Sequence, residues 1–318
     1  MDRDSVDWKG YWPASPTPFT ADGAFSAELQ QELLEHYLAT GVHGVLINGT
    51  TGEWFSQSPA ERREVAERAL AVIDGRVPVV IGCTDYTAAG VAELARQAMA
   101  AGAAGIAATP PPYAKPSDDE IVAFYEDVAA ALPDVPVMVY NWPHGTSVDI
   151  GPDLAGRLAQ VDTVVALKDS TPNGAQFFET NRRVNREIRV IGNFMSNAGL
   201  DRLLADGGDG TIGGGSILGA PDPEFWEAHW KGDEATCRAT ADHIDALYPK
   251  LWVDGGWAGH FGHYQSQLKA IMAMLGQPGG AVRPPRLPIT DPDRLAALRA
   301  VLLEDGLLTA AGVAAPGR

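Results

Sequence analysis

The chain has 318 residues, 45% of them hydrophobic and 20% charged, with a formal net charge of −17. That length buries a large core in one domain or two, and the acidity excludes a nucleic-acid binder, because no basic stripe offsets phosphate repulsion. No apolar run reaches the roughly 18 residues that a membrane-spanning helix needs, so no membrane partner is expected.

The chain opens on an acidic, polar segment from Met1 to Asp7, unlike a signal or transit peptide, and a cytoplasmic enzyme is the default expectation. Apolar, strand-like runs then follow at even spacing: Tyr11–Thr17, Gly44–Asn48, Val77–Gly82, Gly105–Thr109, Val137–Asn141, Val164–Lys168, Arg189–Asn193 and Gly210–Gly214. Helical patterns lie between and after them, near 26–40, 59–73, 88–101, 118–131, 152–159, 174–184, 197–205 and 221–231. Ser58-Pro59-Ala60-Glu61 and Ser117-Asp118-Asp119-Glu120 carry capping-box signals, and Pro152 and Pro221 mark helix entries. Eight strand–helix units of this size predict an α/β fold, a (β/α)8 TIM barrel, over 1–231. A doubly wound open sheet is the runner-up, but no GxGxxG follows the first strand. From 232 to 318 no strand pattern is seen. Helices near 233–252, 261–275 and 291–305 predict a C-terminal helical extension packed on the barrel, and the small residues from Ala310 to Arg318 predict a frayed tail. Cys83 and Cys237 lie far apart without metal-ligand spacing and read as two reduced thiols, with no metal site.

In such a barrel the chemistry sits at the carboxyl ends of the strands. The sixth run, Val164-Val165-Ala166-Leu167, is a buried-strand pattern that ends on Lys168. An amine there is partly stripped of water, which lowers its pKa and makes it a nucleophile toward a carbonyl. Taken alone, such a lysine more simply carries its head to solvent or pairs with Asp169. Its neighbours change that balance. The second strand runs into Gly49-Thr50-Thr51-Gly52-Glu53, which alone reads as an ordinary polar turn, although backbone N–H groups and the Thr50 and Thr51 hydroxyls converging there could hold a small carboxylate. Tyr140, next to last in the fifth strand, reads either as a core aromatic whose hydroxyl finds a partner or, one strand before Lys168, as a phenol within reach for proton transfer. Gly213, at the end of the eighth strand, suits close approach of a ligand to the backbone.

Gly49-Thr50-Thr51-Gly52-Glu53, Tyr140-Asn141-Trp142-Pro143 and Leu167-Lys168-Asp169-Ser170 together resemble the dihydrodipicolinate synthase / N-acetylneuraminate lyase family. Pro111-Pro112-Tyr113, Gly210-Thr211-Ile212-Gly213 and Lys269-Ala270 with Arg283-Pro284-Pro285 extend the likeness over nearly the whole chain, in order. The resemblance implies a TIM barrel with a C-terminal helical part, assembled as a homotetramer of tight dimers. It implies that Lys168 forms a Schiff base with pyruvate or another 2-oxo acid, without further cofactors. Tyr140 would donate and accept the proton, its phenol linked to a Thr51-type hydroxyl. Thr50 and Thr51 would hold the 2-oxo acid carboxylate, with the Ile212 carbonyl lining the same pocket. Tyr113 is the candidate for completing a proton relay across a dimer interface.

The implied activity is carbon–carbon lysis or condensation between pyruvate and an aldehyde. A 2-keto-3-deoxy sugar acid dehydratase on the same scaffold is the alternative. Synthase proper is a lesser reading: its branch carries an arginine two residues after the proline of Tyr-Asn-x-Pro, and Gly145 stands there. A silent binding relative would be expected to lack the lysine or the tyrosine, and both are present. Trp54, Trp142 and His144 follow catalytic-face motifs and suit either a pocket for a bulky aldehyde or plain packing of loops and subunit contacts, with His144 a candidate second acid–base or a surface hydrogen-bonding residue. The aromatic residues Trp252 and Trp257 read as interface packing.

Overall fold

The computed structural model describes residues 1–309 together with 312 and 313. Eight parallel strands close into a barrel in sequence order: β1 (Gly10–Ala14), β2 (Val45–Ile47), β3 (Val79–Gly82), β4 (Gly105–Ala108), β5 (Val137–Asn141), β6 (Val164–Asp169), β7 (Arg189–Ile191) and β8 (Gly210–Gly214). β8 pairs back onto β1, which leaves no open edge. The helices between them are α1 (Ala27–Ala39), α2 (Pro59–Ile73), α3 (Ala88–Ala100), α4 (Asp118–Ala131), the short α5 (Pro143–Thr146), α6 (Pro152–Leu158), α7 (Gly174–Val184), α8 (Asn197–Asp206) and α9 (Pro221–Lys231). This is a (β/α)8 TIM barrel. α10 (Glu234–Leu251), α11 (Tyr264–Met274) and α12 (Pro292–Asp305) follow it, with α10 packed on α8 and α9.

Both capping boxes form. The Ser58 and Ser117 side chains accept from the Glu61 and Glu120 amides, and each glutamate side chain reaches back to its serine. Strand ends differ from the sequence reading where the backbone cannot continue a ladder. β1 stops at Ala14 rather than Thr17, because Pro16 and Pro18 have no N–H to give. β2 stops at Ile47, and Asn48 turns into the left-handed region at φ 56°. The C-terminal stretch, read as free of strands, contains a short antiparallel pair, β9 (Leu308–Thr309) with β10 (Gly312–Val313). The rest of the expected frayed tail, 310–311 and 314–318, lies outside the described residues.

Strand alternation sorts the core into two layers. Inward residues Trp12, Leu46, Val80, Ala107, Met138, Ala166 and Ile191 fill the barrel, and Trp8 joins them from the N-terminal segment. Outward residues pack on the helices, for example Val45, Ile106, Val139 and Leu167. At the amino-terminal rim, Asp209 accepts from Arg189 at 2.8 Å and from Arg3 at 2.9 Å. The filled lower end leaves the opposite mouth for chemistry. Cys83 and Cys237 are free and buried. Among the described residues no helix is long and apolar enough to cross a membrane.

Candidate active site

Tyr140 and Lys168 follow the inward parity of Met138 and Ala166, two residues further up their strands. The parallel register of β5 and β6 sets Tyr140 directly beside Lys168. Lys168 is 6% exposed and its Nζ lies 3.6 Å from the centroid of the Tyr140 ring. Nζ donates to Ser170 Oγ at 3.0 Å rather than pairing with Asp169. Loss of hydration brings the Lys168 ammonium down to about 7, against a smaller opposing pull from the Asp169 charge. The same burial pushes the Tyr140 phenol up to about 12, although hydrogen bonds with Thr50 and Ser170 work the other way. Ser170 therefore joins amine and phenol. The site holds a neutral-capable nucleophile and a phenol that keeps its proton at pH 7.

Asp169 turns to the other side of the strand. Its Oδ1 accepts from Asn141 Nδ2 at 2.8 Å and from the Thr171 amide at 2.9 Å. Burial pushes this carboxyl up to about 6. Asn141 Oδ1 in turn accepts from the Ile150 amide at 3.0 Å, which fixes the amide flip and locks the end of β5.

The Gly49–Glu53 loop is buried and heavily tethered. Thr17 Oγ1 donates to the Gly52 carbonyl at 2.7 Å, and Gln265 Nε2 to the Thr50 carbonyl at 3.0 Å. Glu53, with no exposed surface and a left-handed φ of 55°, meets Lys269 Nζ at 2.6 Å. Lys269 also donates to the Thr17 and Ala281 carbonyls at 2.8 and 2.7 Å. Two residues that read as separate family signatures are thus one ion pair binding the loop to α11.

This tether presents the two hydroxyls to different partners. Thr50, not Thr51, meets the Tyr140 phenol. Thr51 meets the hydroxyl of Tyr264, the first residue of α11. Tyr264 reaches so far into the mouth that a Cβ on Gly214 would sit 2.0 Å from its hydroxyl. The sequence carries no local sign of this role. Only the docking of α11 over the barrel mouth brings Tyr264 there.

A cleft of about 460 Å³ opens above Lys168 and Ser170, lined also by Ile212, Gly213, Asn193 and Tyr248. Trp252 lines it too and packs on Tyr264 at 5.1 Å between ring centroids. His144 is exposed at the rim, 5.7 Å from the Trp257 ring, and lies outside this lining. Tyr113 is 92% exposed on its loop and does not reach the cleft of its own chain. Trp54 lies against Phe55 and under Arg62, outside the lining of the Lys168 cleft. Trp142 stacks on Tyr140 at 6.5 Å and covers Gly145 so closely that a Cβ there would come within 1.9 Å of its ring. Among the described residues no group of three or more His, Cys, Asp or Glu side chains is placed to hold a metal.

A model of the dihydrodipicolinate synthetase family matches residues 7–303. An uncharacterised DapA-like lyase from Rhizobium meliloti is 32% identical over 287 residues, covering 90% of this chain and 92% of that protein. A 4-hydroxy-tetrahydrodipicolinate synthase from Sorangium cellulosum is 33% identical over 288 residues, again covering 90% and 92%. Among solved structures, YagE, a prophage protein from E. coli K12 crystallised with pyruvate, superposes with a TM-score of 0.83 at 28% identity. That match covers 94% of this chain and 99% of the other.

Proposed function

This chain belongs to the dihydrodipicolinate synthetase family, and we propose that it is a Schiff-base lyase that breaks or makes a carbon–carbon bond between pyruvate and an aldehyde. The observation that carries the reading is the buried Lys168 amine, brought down to about 7 and joined through Ser170 to the Tyr140 phenol. A free amine at neutral pH adds to the C2 carbonyl of a 2-oxo acid, and loss of water gives the imine. Tyr140, protonated at that pH, supplies the proton that lets the water leave. The imine then withdraws electrons from C3. Cleavage of the C3–C4 bond leaves an enamine and releases an aldehyde as the C4 hydroxyl gives up its proton, and Tyr140 takes that proton in its turn. The Thr50 and Thr51 hydroxyls, held by the Glu53–Lys269 tether, supply the carboxylate end of the site.

Synthase proper finds less support, because the Trp142 ring fills the space that a side chain at 145 would need. Exposed Tyr113 fits a homo-oligomer in which the residue meets a neighbouring subunit rather than its own cleft. The test is product analysis on 4-hydroxy-2-oxo acids. Pyruvate plus an aldehyde, formed by the wild type and lost in Lys168→Ala, is the expected result. A product that keeps the whole carbon chain and loses water would move the assignment to a dehydratase.

A further inference from the structure

We propose that a second pocket, between the first turn of α11 and the connection 285–291, binds a small apolar monocarboxylate on Arg286, and that it is coupled to the Thr50–Thr51 loop through Gln265. The pocket holds about 360 Å³, and none of its lining residues lines the Lys168 cleft. Arg286 forms no ion pair among the described residues. Its Nε donates to Gln265 Oε1 at 2.8 Å, and its guanidinium carbon stands 5.2 Å from the centre of the Phe55 ring. The carboxylate whose charge acts on it, Glu53, is already committed to Lys269 at 2.6 Å. The other arginine in the lining, Arg294, is paired with Asp291 at 3.5 Å. With Nε engaged, the two Nη groups of Arg286 remain, and their N–H donors form a fork that a carboxylate meets with both oxygens.

The start of α11 adds further donors. Partial burial, and then the Arg286 charge, hold the His263 imidazole below its usual value, which sets the guanidinium beside this turn. The Tyr264 amide is taken by His263 Nδ1 and the Gln267 amide by the His263 carbonyl, while the Gln265 and Ser266 amides have no acceptor among the described residues. Ser266, buried, lines the pocket, and its hydroxyl also lacks a partner among the described residues. Groups that mostly donate call for a ligand that accepts. One unanswered positive charge with Asp291 at the rim suits a monoanion better than a phosphate dianion. Phe261, Ile289 and the exposed Leu287 make the remaining wall apolar, so the carboxylate carries an aliphatic or aromatic body. Gln265 is buried and touches both sites, since its Nε2 donates to the Thr50 carbonyl at 3.0 Å. Its neighbour Tyr264 meets Thr51. A carboxylate that fixes Arg286 therefore fixes Gln265, and with it the loop beside Lys168, so the two ligands favour each other's binding.

The probe is benzoate, which has no 2-oxo group and cannot form an imine. It is titrated calorimetrically into the intact enzyme, alone and with pyruvate at saturation. One molecule should bind per chain, about fivefold more tightly when pyruvate is present. By reciprocity benzoate should tighten pyruvate by the same factor. Arg286→Gln removes the fork, and Leu287→Glu sets a negative charge on the apolar wall; each should weaken benzoate by about tenfold or more. Leu287 is exposed, so its variant keeps the test standing if Arg286→Gln fails to fold. Inorganic phosphate should bind more weakly than benzoate. Displacement of benzoate by pyruvate would put it in the Lys168 cleft and overturn the proposal. An affinity for benzoate that neither variant lowers overturns it too, as does one that pyruvate leaves unchanged. Tighter binding of phosphate than of benzoate would contradict the ligand class. The imine on Lys168 is read separately, by borohydride trapping, so failure of the Schiff base is not mistaken for failure of this site.

Discussion

Burial of Lys168 sets the pH at which it can work. Below about 7 the group is an ammonium without a lone pair to donate, and above it the amine is free. The rate of imine formation should therefore rise about tenfold per pH unit up to neutrality and then level off. A lysine at its ordinary pKa of about 10.4 would still be rising at pH 9. Measuring the trapping rate of pyruvate from pH 5 to 9 separates the two. Tyr140→Phe removes the phenol but keeps the ring under Lys168 Nζ, so turnover should fall by about a hundredfold or more. The Lys168 adduct should still form slowly in that variant, and unchanged turnover would take the phenol out of the proton path. Lys168 and Tyr140 were legible in the sequence because each ends an apolar run and the runs are adjacent. The Thr50 partner of Tyr140 was not: two neighbouring threonines are indistinguishable until the loop's fold points one hydroxyl at Tyr140 and the other at Tyr264.

At the scale of elements, the Gly49–Glu53 loop and α11 behave as one piece, joined by a fully buried ion pair. Removing one partner leaves the other charge stranded, so Glu53→Ala should cost about 3–5 kcal/mol of stability. Denaturant unfolding measures this, and a change within about 0.5 kcal/mol would mean that the tether is idle. Gly145→Arg tests the neighbouring loop. Its Cβ alone would displace the Trp142 ring, so the variant should lose about 1–3 kcal/mol and should not gain synthase activity. A stable Gly145→Arg enzyme that condensed pyruvate with a carboxylated aldehyde would contradict that account. The sequence located both loops from glycine and proline spacing. It did not reveal which distant side chains hold them, because Lys269 and Gln265 come from a helix whose docking no local pattern encodes.

For the whole molecule, the alternation of apolar runs and capped helices was enough to read eight strand–helix units, since each unit carries its own start and stop signals. The barrel's closure, β8 on β1, restores at the scale of the chain what no single strand announces. Trp8 was not singled out as a core residue, as it lies in a polar segment before the first strand, yet it is buried against Trp12 and the lower end of the barrel. Trp8→Ala should cost about 3–5 kcal/mol while leaving the kinetics of the folded enzyme unchanged, because it sits at the end opposite Lys168. Thermal unfolding together with kcat/KM at low temperature checks both halves of that statement. A loss of kcat/KM in fully folded protein would show the two ends to be coupled.

The central claim is that Lys168 forms an imine with a 2-oxo acid, and its most direct test is borohydride reduction of the enzyme with pyruvate, followed by peptide mapping. The account predicts one reduced pyruvyl adduct, on Lys168, absent in Lys168→Ala. No adduct on Lys168, or equal labelling of the variant, would contradict it.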